Sequence, residues 1–424
     1  MRILLTGASG FIGRHLHEAL HRRGHVVVAA GRTPLPGTRH DEFVFADFAH
    51  DFGVNDWIPR LQNIDVVINA VGIVRETSHA TFEAIHVRTP SALFDACVAT
   101  SVRRVIQISA LGADAGARSE YHLSKRRADE HLTGLPLAWT LVQPSLVYGP
   151  GGASARLFTA LASLPYIPLV GAGAQALQPV HIEDVALGIC TLIEKGWGQQ
   201  AVIPFVGPVP VTLREYLAAL RGSLGLGQPR YIRVPLGIMR VTARVAELLP
   251  GSLLGTQTLD MLSRGNTGDA RPLQEILGRP ARAPDRFITS GAVEAERVLA
   301  LTHWLLPLLR YSIALVWIVT GIVSLGLFPV RASYDLLARA GVSRALAPVL
   351  LYGAALMDLA FGVATLLLER RRFLWLAQTA VIVLYTGILS VKMPEFWLHP
   401  FGPLLKNLPM LTAILLLYQL ERRG

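Results

Sequence analysis

The last third of the chain contains apolar runs long enough to cross a lipid bilayer. Residues 311–328 carry no charge, and further apolar runs cover residues 347–368, 373–391 and 404–420. Because the hydrocarbon layer is about 30 Å thick, a spanning helix needs about 20 apolar residues. We therefore predict a four-helix transmembrane bundle in residues 301–424, although the fourth run reaches that length only with the residues before it. The alternative is four buried helices of a soluble domain.

One acidic residue, Asp358, lies in the middle of the second apolar run. A charge at the bilayer centre costs on the order of 2.5–3.5 kcal/mol on insertion scales. We therefore expect Asp358 to face the inside of the bundle. Its partner there would be Arg310, Lys392, Lys406 or a lipophilic ligand, and the sequence leaves open whether its role is functional or structural.

The net charge of +10 and the positive mean hydropathy suit a chain that works at a membrane. Without a run of lysines and with only 8% aromatic residues, the chain is a poor candidate for nucleic-acid binding. A basic protein with membrane spans more plausibly faces anionic lipid head groups. The two cysteines, Cys97 and Cys190, are predicted to be buried free thiols, and the sequence indicates no disulfide or metal site.

The sequence predicts an integral protein of the inner, cytoplasmic membrane. No cleavable signal precedes the first predicted strand, which begins at Arg2. Four crossings would place both chain ends on one side, and the arginines at residues 370–372 favour the cytosol for both ends and for residues 1–300. Whether the chain is a monomer or a homo-oligomer stays open.

Short apolar segments alternate with helical patterns in the first 300 residues. The apolar segments are RILLTG, HVVVAAGR, FVFADF, IDVVINAVG, RRVIQISALG and LAWTLVQPSLVYG. This alternation is typical of a parallel sheet with helices on both faces. We predict an α/β Rossmann fold, a doubly wound parallel sheet, for residues 1–300, with a smaller substrate subdomain from about 155 to 300. In it, residues 235–249 form a predicted helix whose polar face, with Arg240 and Arg244, meets either solvent or a membrane surface.

The segment TGASGFIG follows the first predicted strand and precedes the first helix. Its glycines are spaced G-x-x-G-x-x-G. The first permits a tight turn, the second lets backbone approach a pyrophosphate, and the third lets helix and strand pack closely. The helix N-terminus then offers free N–H groups to the phosphates. We predict a dinucleotide site whose cradle consists of Gly7, Ser9, Gly10, Phe11, Ile12 and Gly13.

The end of the second predicted strand bears on the choice of cofactor. NAD sites usually end this strand with an acidic residue that holds the ribose 2′-hydroxyl. This chain has Gly31-Arg32 instead, and a guanidinium suits a 2′-phosphate by charge and by forked geometry. NADP(H) is therefore favoured over NAD(H), unless Arg32 is merely exposed. Asp47, at the end of the third strand, either contacts adenine or caps the following turn.

Five motifs together resemble the short-chain dehydrogenase/reductase superfamily. TGASGFIG, INAVG, YHLSK, PSLVYGPGG and PVHIEDVA occur in that superfamily's order over about residues 1–300. ISALGA and the short gap before the tyrosine resemble the atypical branch, which includes the complex I accessory subunit and NmrA-like redox sensors. Some members of that branch bind cofactor without known turnover. The tail resembles the DoxX-like membrane family through LLRYSIALVWIVTG and HPFGPLLKNLP.

The resemblance assigns proton transfer to Tyr121 and Lys125, which match the superfamily's Y-x-x-x-K motif. Residues i and i+4 share one face of a helix, so the hydroxyl and the ammonium would project into one cleft. An adjacent cation favours the phenolate of a tyrosine, whose pKa is ordinarily about 10. Lys125 would also bind the nicotinamide ribose, and Tyr121 would give or take the proton of a substrate hydroxyl.

Two positions depart from the superfamily's pattern. Its catalytic serine is usually the second of two serines, whereas this chain has Ser109-Ala110. Ser109 is therefore either a donor to the substrate oxygen or a structural hydroxyl at the strand end. His86 stands where the superfamily often has an asparagine, and it is either a proton relay or structural.

The resemblance also assigns the lining of the nicotinamide pocket. It implies cofactor contacts for Asn69, Ala70, Gly72, Pro144 and Ser145. Tyr148 and Gly149 resemble a loop that closes over the nicotinamide. His181 and Asp184, in contrast, are predicted to position a loop and cap a helix.

The sequence predicts a membrane-anchored NADPH-dependent reductase or dehydrogenase. A basic domain held at a membrane suggests a lipophilic carbonyl or alcohol substrate. One alternative is a sugar-nucleotide epimerase or dehydratase, which would keep NAD tightly bound; Arg32 and Ala110 argue against it. The other alternative is a non-catalytic protein that senses NADP(H) or serves in assembly, and Ala110 keeps it open.

Overall fold

The computed structural model describes residues 1–37, 39, 42–100, 102–247 and 255–421. The chain folds into two compact units, Met1–Ala300 and Leu301–Gly424. The strands in chain order are β1 Arg2–Thr6, β2 Val26–Gly31, β3 Phe43–Phe45, β4 Val66–Asn69, β5 Arg104–Ile108, β6 Trp139–Pro144, β7 Val147–Tyr148, β8 Ile167–Val170, β9 Ala176–Leu177, β10 Val180–His181, β11 Ala201–Phe205, β12 Val211–Thr212 and β13 Tyr231–Val234.

The helices alternate with the strands through the first unit and fill the second. They are α1 Phe11–Arg22, α2 Val54–Trp57, α3 Thr89–Val98, α4 Glu120–Thr133, α5 Ala153–Ser163, α6 Ile182–Lys195, α7 Leu213–Ser223, α8 Leu236–Glu247, α9 Thr256–Arg264, α10 Arg271–Leu277, α11 Val293–Ile322, α12 Val330–Arg339, α13 Ala347–Leu367, α14 Arg372–Lys392 and α15 Asn407–Leu420. A π-helical turn, Glu83–Arg88, leads directly into α3. Leu248 and Leu249, the last residues of the predicted helix at 235–249, lie outside the described residues.

The first unit is built on a seven-stranded parallel sheet in the order β11-β6-β5-β4-β1-β2-β3. The strand order reverses between β1 and β4, as it does in a Rossmann fold, and ligands bind such sheets at that crevice. Successive strand residues face opposite sides: Ile3 and Leu5 pack against Leu16 and Leu20 of α1, whereas Leu4 joins the core on the other face. The predicted doubly wound sheet with helices on both faces is confirmed.

The six predicted strands are all present, and the structure adds a seventh. The sixth predicted strand stops at Pro144 and resumes as the short β7, which pairs with β10 instead of with β11. The additional strand, β11, carries Pro204 in the middle of an apolar run. Proline lacks the N–H that a central strand requires, and β11 accordingly lies at the sheet edge.

A second core lies beside the sheet, between residues 148 and 300. It packs α5 and α7 against two small two-stranded sheets, β8 with β13 and β9 with β12. The helices α8 and α9 contact each other over this subdomain. The two cysteines are confirmed as buried free thiols on opposite sides of the main sheet.

The second unit contains helices with the polarity of a membrane protein. The apolar helical segments Ser290–Leu327, Ala347–Leu367 and Arg372–Lys392 are long enough to cross a bilayer. Many of their aliphatic side chains are exposed, while the polar Asp358, Thr365 and Gln378 are buried. This arrangement suits lipid as the surrounding solvent.

Two features of the tail bear on the predictions made for it. The fourth span was expected at 404–420, but α15 begins at Asn407 after a run of turns and is about 21 Å long at 1.5 Å per residue. It is therefore a shorter apolar helix, and the topology with both ends on one side stays a prediction. Asp358 is buried as expected; within the described residues no basic side chain pairs with it, which leaves the lipophilic ligand among its proposed partners.

Candidate functional site

The glycine loop between β1 and α1 forms a cradle that side chains would fill. Gly7 has φ +67°, and a Cβ there would lie 2.7 Å from the Ala70 carbonyl oxygen. A Cβ on Gly13 would lie 2.0 Å from the Gly7 oxygen, and one on Gly10 would lie 3.1 Å from it. Gly10 is the N-cap of α1 and, being glycine, caps no N–H group with a side chain. The loop therefore fits a pyrophosphate, with Ser9 exposed beside it and Phe11 and Ile12 half-buried.

The two residues predicted at the adenosine end differ in their surroundings. Arg32 follows β2 directly and is exposed, so its guanidinium is accessible to a 2′-phosphate. Asp47 accepts hydrogen bonds from the Ala49 N–H at 3.0 Å and from His50 Nδ1 at 2.9 Å. Its carboxylate therefore caps the turn after β3, which favours the structural alternative for Asp47.

Asn69 joins the ends of three neighbouring strands. Its Oδ1 accepts from Thr6 Oγ1 at 2.6 Å, and its Nδ2 donates to Gln107 Oε1 at 2.7 Å. The side chain is fully buried and its Oδ1 also accepts from the Val71 N–H at 3.4 Å, so it holds the backbone that follows β4. A Cβ on Gly72 would lie 3.1 Å from Lys125 Nζ. Glycine at this position therefore allows the segment to lie close to the lysine.

Tyr121 and Lys125 project from α4 at the carboxyl ends of β4 and β5. Lys125 Nζ donates to the carbonyl oxygens of Val71 and Ile108, both at 3.1 Å. The Tyr121 ring is half-buried and held by edge contacts with Phe82 and His86. No other described residue hydrogen-bonds to its hydroxyl, and Tyr121 lines the cavity described below.

Asp129 is a buried acid on the same helix that the sequence analysis did not single out. It follows Lys125 by four residues, and its carboxylate accepts a short hydrogen bond from Ser109 Oγ. Its second oxygen, Oδ1, is buried without a partner in the described structure. Ser109 is thus engaged with Asp129, while Ala110 lines the cavity. This geometry favours the structural alternative for Ser109.

Burial shifts the pKa of all three groups toward their neutral forms. Burial, helped by the negative charge of Asp129, raises the pKa of Tyr121 to about 12. Burial lowers the pKa of Lys125 to about 8, against the opposing pull of Asp129. Burial raises the pKa of Asp129 to about 7, although the Ser109 hydroxyl and Lys125 oppose this. The expectation that the adjacent lysine favours the phenolate is wrong for this state: its ammonium is turned to backbone carbonyls, and desolvation prevails.

His86 is a buried hydrogen-bonding residue with a defined tautomer. Its Nε2 accepts from the Ile73 N–H at 2.9 Å, so Nδ1 carries the proton and donates to Ser124 Oγ at 2.8 Å. Ser124 in turn donates to the Tyr121 carbonyl. Burial and the charge of Lys125 lower the pKa of His86 to about 2. The side chain is therefore neutral and positions α4, which favours its structural alternative.

An apolar cavity of about 440 Å³ opens beside Tyr121. Its wall is mostly apolar: α5, α7, α8 and α9 contribute leucine, alanine, methionine and phenylalanine side chains, and the valines come from loops and short strands, at Val74, Val147 and Val170. Pro144 and Ser145 also line it, and the Ser145 hydroxyl donates to the Gln178 carbonyl at 2.6 Å. Tyr121, His122 and Arg264 are among the polar side chains at this mostly apolar wall, so the cavity fits a largely apolar molecule that also carries a polar group.

Arg264, at the end of α9, holds the loop after β5 over the site. Its guanidinium contacts both carboxylate oxygens of Asp114, at 2.6 and 2.9 Å, and donates to the Gly112 carbonyl at 3.0 Å. Arg264 and Gly112 both line the cavity. No local motif marks Arg264, because its partners lie about 150 positions earlier in the chain.

The remaining predicted residues lie in the surrounding framework. Tyr148 is buried against Phe287, with ring centroids 4.8 Å apart, in the subdomain core rather than in an open loop. His181 is the N-cap of α6 and accepts from the Glu183 N–H. Asp184 is fully buried and accepts from Arg279 and from the Arg282 backbone. His181 and Asp184 thus occupy the capping and loop-positioning roles expected of them.

Comparison with known families supports the two-part organisation. Residues 3–203 match the NAD dependent epimerase/dehydratase family, and residues 314–415 match the DoxX-like family. The chain therefore joins an NAD(P)-binding Rossmann-type domain to a DoxX-like membrane domain. The predicted resemblance to short-chain dehydrogenases and to the DoxX-like family is confirmed.

Individual relatives match part of the chain. NADH dehydrogenase (ubiquinone) 1 alpha subcomplex subunit 9 of Arabidopsis thaliana is 29% identical over 248 residues, which cover 56% of this chain and 61% of that protein. A ceramide reductase of Caulobacter vibrioides is 27% identical over 289 residues, covering 66% and 87%. A human epimerase family protein solved with NADPH shares the fold with a TM-score of 0.54 at 18% identity, covering 70% of this chain and 99% of that one.

Proposed function

We propose that this chain is a membrane-anchored, NADPH-dependent oxidoreductase that reduces the carbonyl group of a lipophilic substrate. The observation that carries this proposal is the position of Tyr121 at the wall of a largely apolar cavity of about 440 Å³. Cavities of this size bind small organic molecules, and their few polar groups fix the orientation of the ligand. A substrate with a long apolar part and one carbonyl would suit both features.

The residues of this chain would bind the cofactor and supply the proton. The glycine loop and the N-terminus of α1 would hold the pyrophosphate, and Arg32 would hold the 2′-phosphate. When bound there, reduced nicotinamide would supply a hydride for the carbonyl carbon. Tyr121, whose raised pKa keeps it protonated at neutral pH, donates its proton to the carbonyl oxygen. Lys125, held by two backbone carbonyls, would orient the ribose.

The raised pKa of Tyr121 keeps its hydroxyl in the protonated form that the reductive step uses. A protonated phenol is ready to act as an acid, whereas the oxidation of an alcohol would require the phenolate. Ala110 leaves Tyr121 without the usual second hydroxyl donor, so Tyr121 carries more of the stabilisation of the substrate oxygen. The likeness to a ceramide reductase supports a lipid-like substrate.

A second candidate is a protein that binds NADP(H) without turnover. The engagement of Ser109 with Asp129 favours it, because this removes a hydroxyl that the reaction would use. The likeness to a complex I subunit agrees with a role in assembly. A sugar-nucleotide epimerase is less well supported, because a nucleotide sugar needs many hydrogen-bonding partners and this cavity wall is mostly aliphatic.

Steady-state turnover of the full chain in lipid nanodiscs distinguishes these candidates. Reduced nicotinamide would be followed by its absorbance in the presence of ketones of increasing chain length. The proposal predicts NADPH oxidation that depends on the ketone and rises with chain length, with one alcohol formed per NADPH consumed. Tight NADPH binding without oxidation across the series would favour the sensor. Bound NAD that survives purification, with turnover of a nucleotide sugar, would favour the epimerase.

A further inference from the structure

The helix α8 has two apolar sides, one of which faces solvent. Its inner side contributes Met239 and Ala243 to the wall of the cavity. Its outer side exposes Ile238, Val241 and Val245, whose side chains are 58%, 62% and 58% exposed. The spacing of three and four residues aligns these side chains in one stripe. Single exposed aliphatic residues are ordinary on protein surfaces, but an aligned stripe marks a contact surface.

Basic residues border this stripe. Arg240 and Arg244 lie one turn apart on α8, and both are exposed. The nearest acid to Arg240 is Asp260 at 3.9 Å, and both side chains remain in solvent. Glu247, at the end of α8, is engaged by the N–H and hydroxyl of Thr256 at 2.6 and 2.7 Å. Among the exposed side chains described on α8, the charged ones are therefore Arg240 and Arg244, and both are positive.

We propose that the outer face of α8, defined by Ile238, Val241 and Val245 with Arg240 and Arg244, docks onto an anionic bilayer surface. Helices with an aliphatic stripe and flanking arginines bind the boundary between lipid head groups and acyl chains. The same chain carries three helices long enough to span a bilayer, so a lipid surface is always nearby. Because the inner side of α8 lines the cavity, docking would bring the cavity wall against the lipid. This second consequence rests on the proposed lipophilic substrate.

Spin labelling of the full chain in vesicles tests the docking surface directly. A nitroxide would be attached to Val241→Cys and, in a second variant, to Val202→Cys on β11, which is 51% exposed. The native Cys97 and Cys190 are buried, and burial raises the pKa of both thiols, so they would react poorly. Collisions with lipid-soluble oxygen and with a water-soluble nickel chelate would be compared in phosphatidylcholine vesicles with and without phosphatidylglycerol.

Docking predicts that the label at Val241 meets oxygen more and nickel less when phosphatidylglycerol is present, while the label at Val202 does not change. Arg240→Gln with Arg244→Gln should remove that lipid dependence, and Arg22→Gln, a solvent-facing change on α1, should keep it. Equal accessibility at Val241 and Val202 would overturn the proposal. So would protection of Val241 from both reagents, which would indicate contact with protein, such as a second copy of the chain.

A kinetic measurement separates this inference from the proposed function. Val241→Asp should raise the KM for a long-chain ketone dissolved in the vesicles and leave the KM for a short, water-soluble ketone unchanged. An equal effect on both ketones would contradict entry from the lipid. If none of the ketones supports NADPH oxidation by the native chain, the proposed function fails. The labelling result still decides whether α8 docks.

Discussion

Lys125 Nζ lies 3.1 Å from the carbonyl oxygen of Ile108, the last residue of β5. The same ammonium contacts the Val71 carbonyl beyond the end of β4. These two bonds join α4, which carries Tyr121, to the crevice where the strand order reverses. A reacting group placed there lies beside the glycine loop that follows β1, because β1 and β4 are neighbours in the sheet.

The glycine loop gives a graded prediction for nucleotide binding. Gly13→Ala should weaken NADPH binding by more than about tenfold, or about 1.4 kcal/mol, because its Cβ would lie 2.0 Å from the Gly7 oxygen. Gly10→Ala, with a 3.1 Å approach, should cost less. Gly222→Ala on α7 meets no atom within 4 Å and is the control. Isothermal titration with NADPH measures all three, and equal affinities would remove the loop from the site.

Arg32 should determine the preference between the two cofactors. Arg32→Glu replaces an exposed cation with an anion, so NADPH should bind at least about tenfold more weakly while NADH binding holds or improves. Arg22→Glu, at the far end of α1, reverses a charge away from the loop and should change neither. If Arg32→Glu leaves the ratio of the NADPH and NADH affinities unchanged, a residue other than Arg32 recognises the 2′ position of the cofactor.

Asp129 should control the alkaline limit of activity. Lys125 must be charged to orient the ribose, and its pKa of about 8 is held up by the negative charge of Asp129. Asp129→Asn removes that charge, so the pKa of Lys125 should fall and kcat/KM should decline at a lower pH. Glu130→Gln makes the same chemical change at the next, exposed residue and should leave the profile in place. If Asp129→Asn does not shift the alkaline limb of the pH profile of kcat/KM, Lys125 is excluded as the group that titrates there.

The cavity should set the length of the substrate. Leu157 lines it from α5, and Leu157→Trp would fill part of its volume. We expect kcat/KM for long-chain ketones to fall by about tenfold or more, while short ketones lose little. The neighbouring exposed Arg156→Trp adds the same ring outside the cavity and serves as the control. Equal losses for all chain lengths would mean that the substrate lies outside this cavity.

Features fixed by local spacing could be predicted from the sequence. The glycine loop, the Tyr121–Lys125 pair and the apolar helices of the tail follow from periodicity and short motifs. The sequence also places Asp129 on the same helix face as Tyr121 and Lys125, because the three residues are spaced by four. The spacing alone does not mark it as buried, because an acid on a helix is ordinarily exposed.

Features that depend on distant contacts could not be predicted in this way. Arg264 meets Asp114 across about 150 positions, and the pairing of Ser109 with Asp129 is visible only in three dimensions. Burial raises the pKa of Tyr121, whereas the sequence predicted that Lys125 would lower it. The contacts of the Lys125 ammonium with backbone carbonyls cannot be predicted from the sequence. The strand β11 was not predicted because it contains Pro204, which argues against a central strand. That β11 lies at the sheet edge follows only from the complete strand order.

Turnover of Tyr121→Phe in nanodiscs tests the central claim most directly. The variant lacks only the hydroxyl, so NADPH binding should match that of the native chain while kcat for a long-chain ketone falls by about 100-fold or more. Tyr166→Phe, an exposed tyrosine, should keep native turnover. Native turnover by Tyr121→Phe, with NADPH binding intact, would contradict the assignment of Tyr121 as the proton donor.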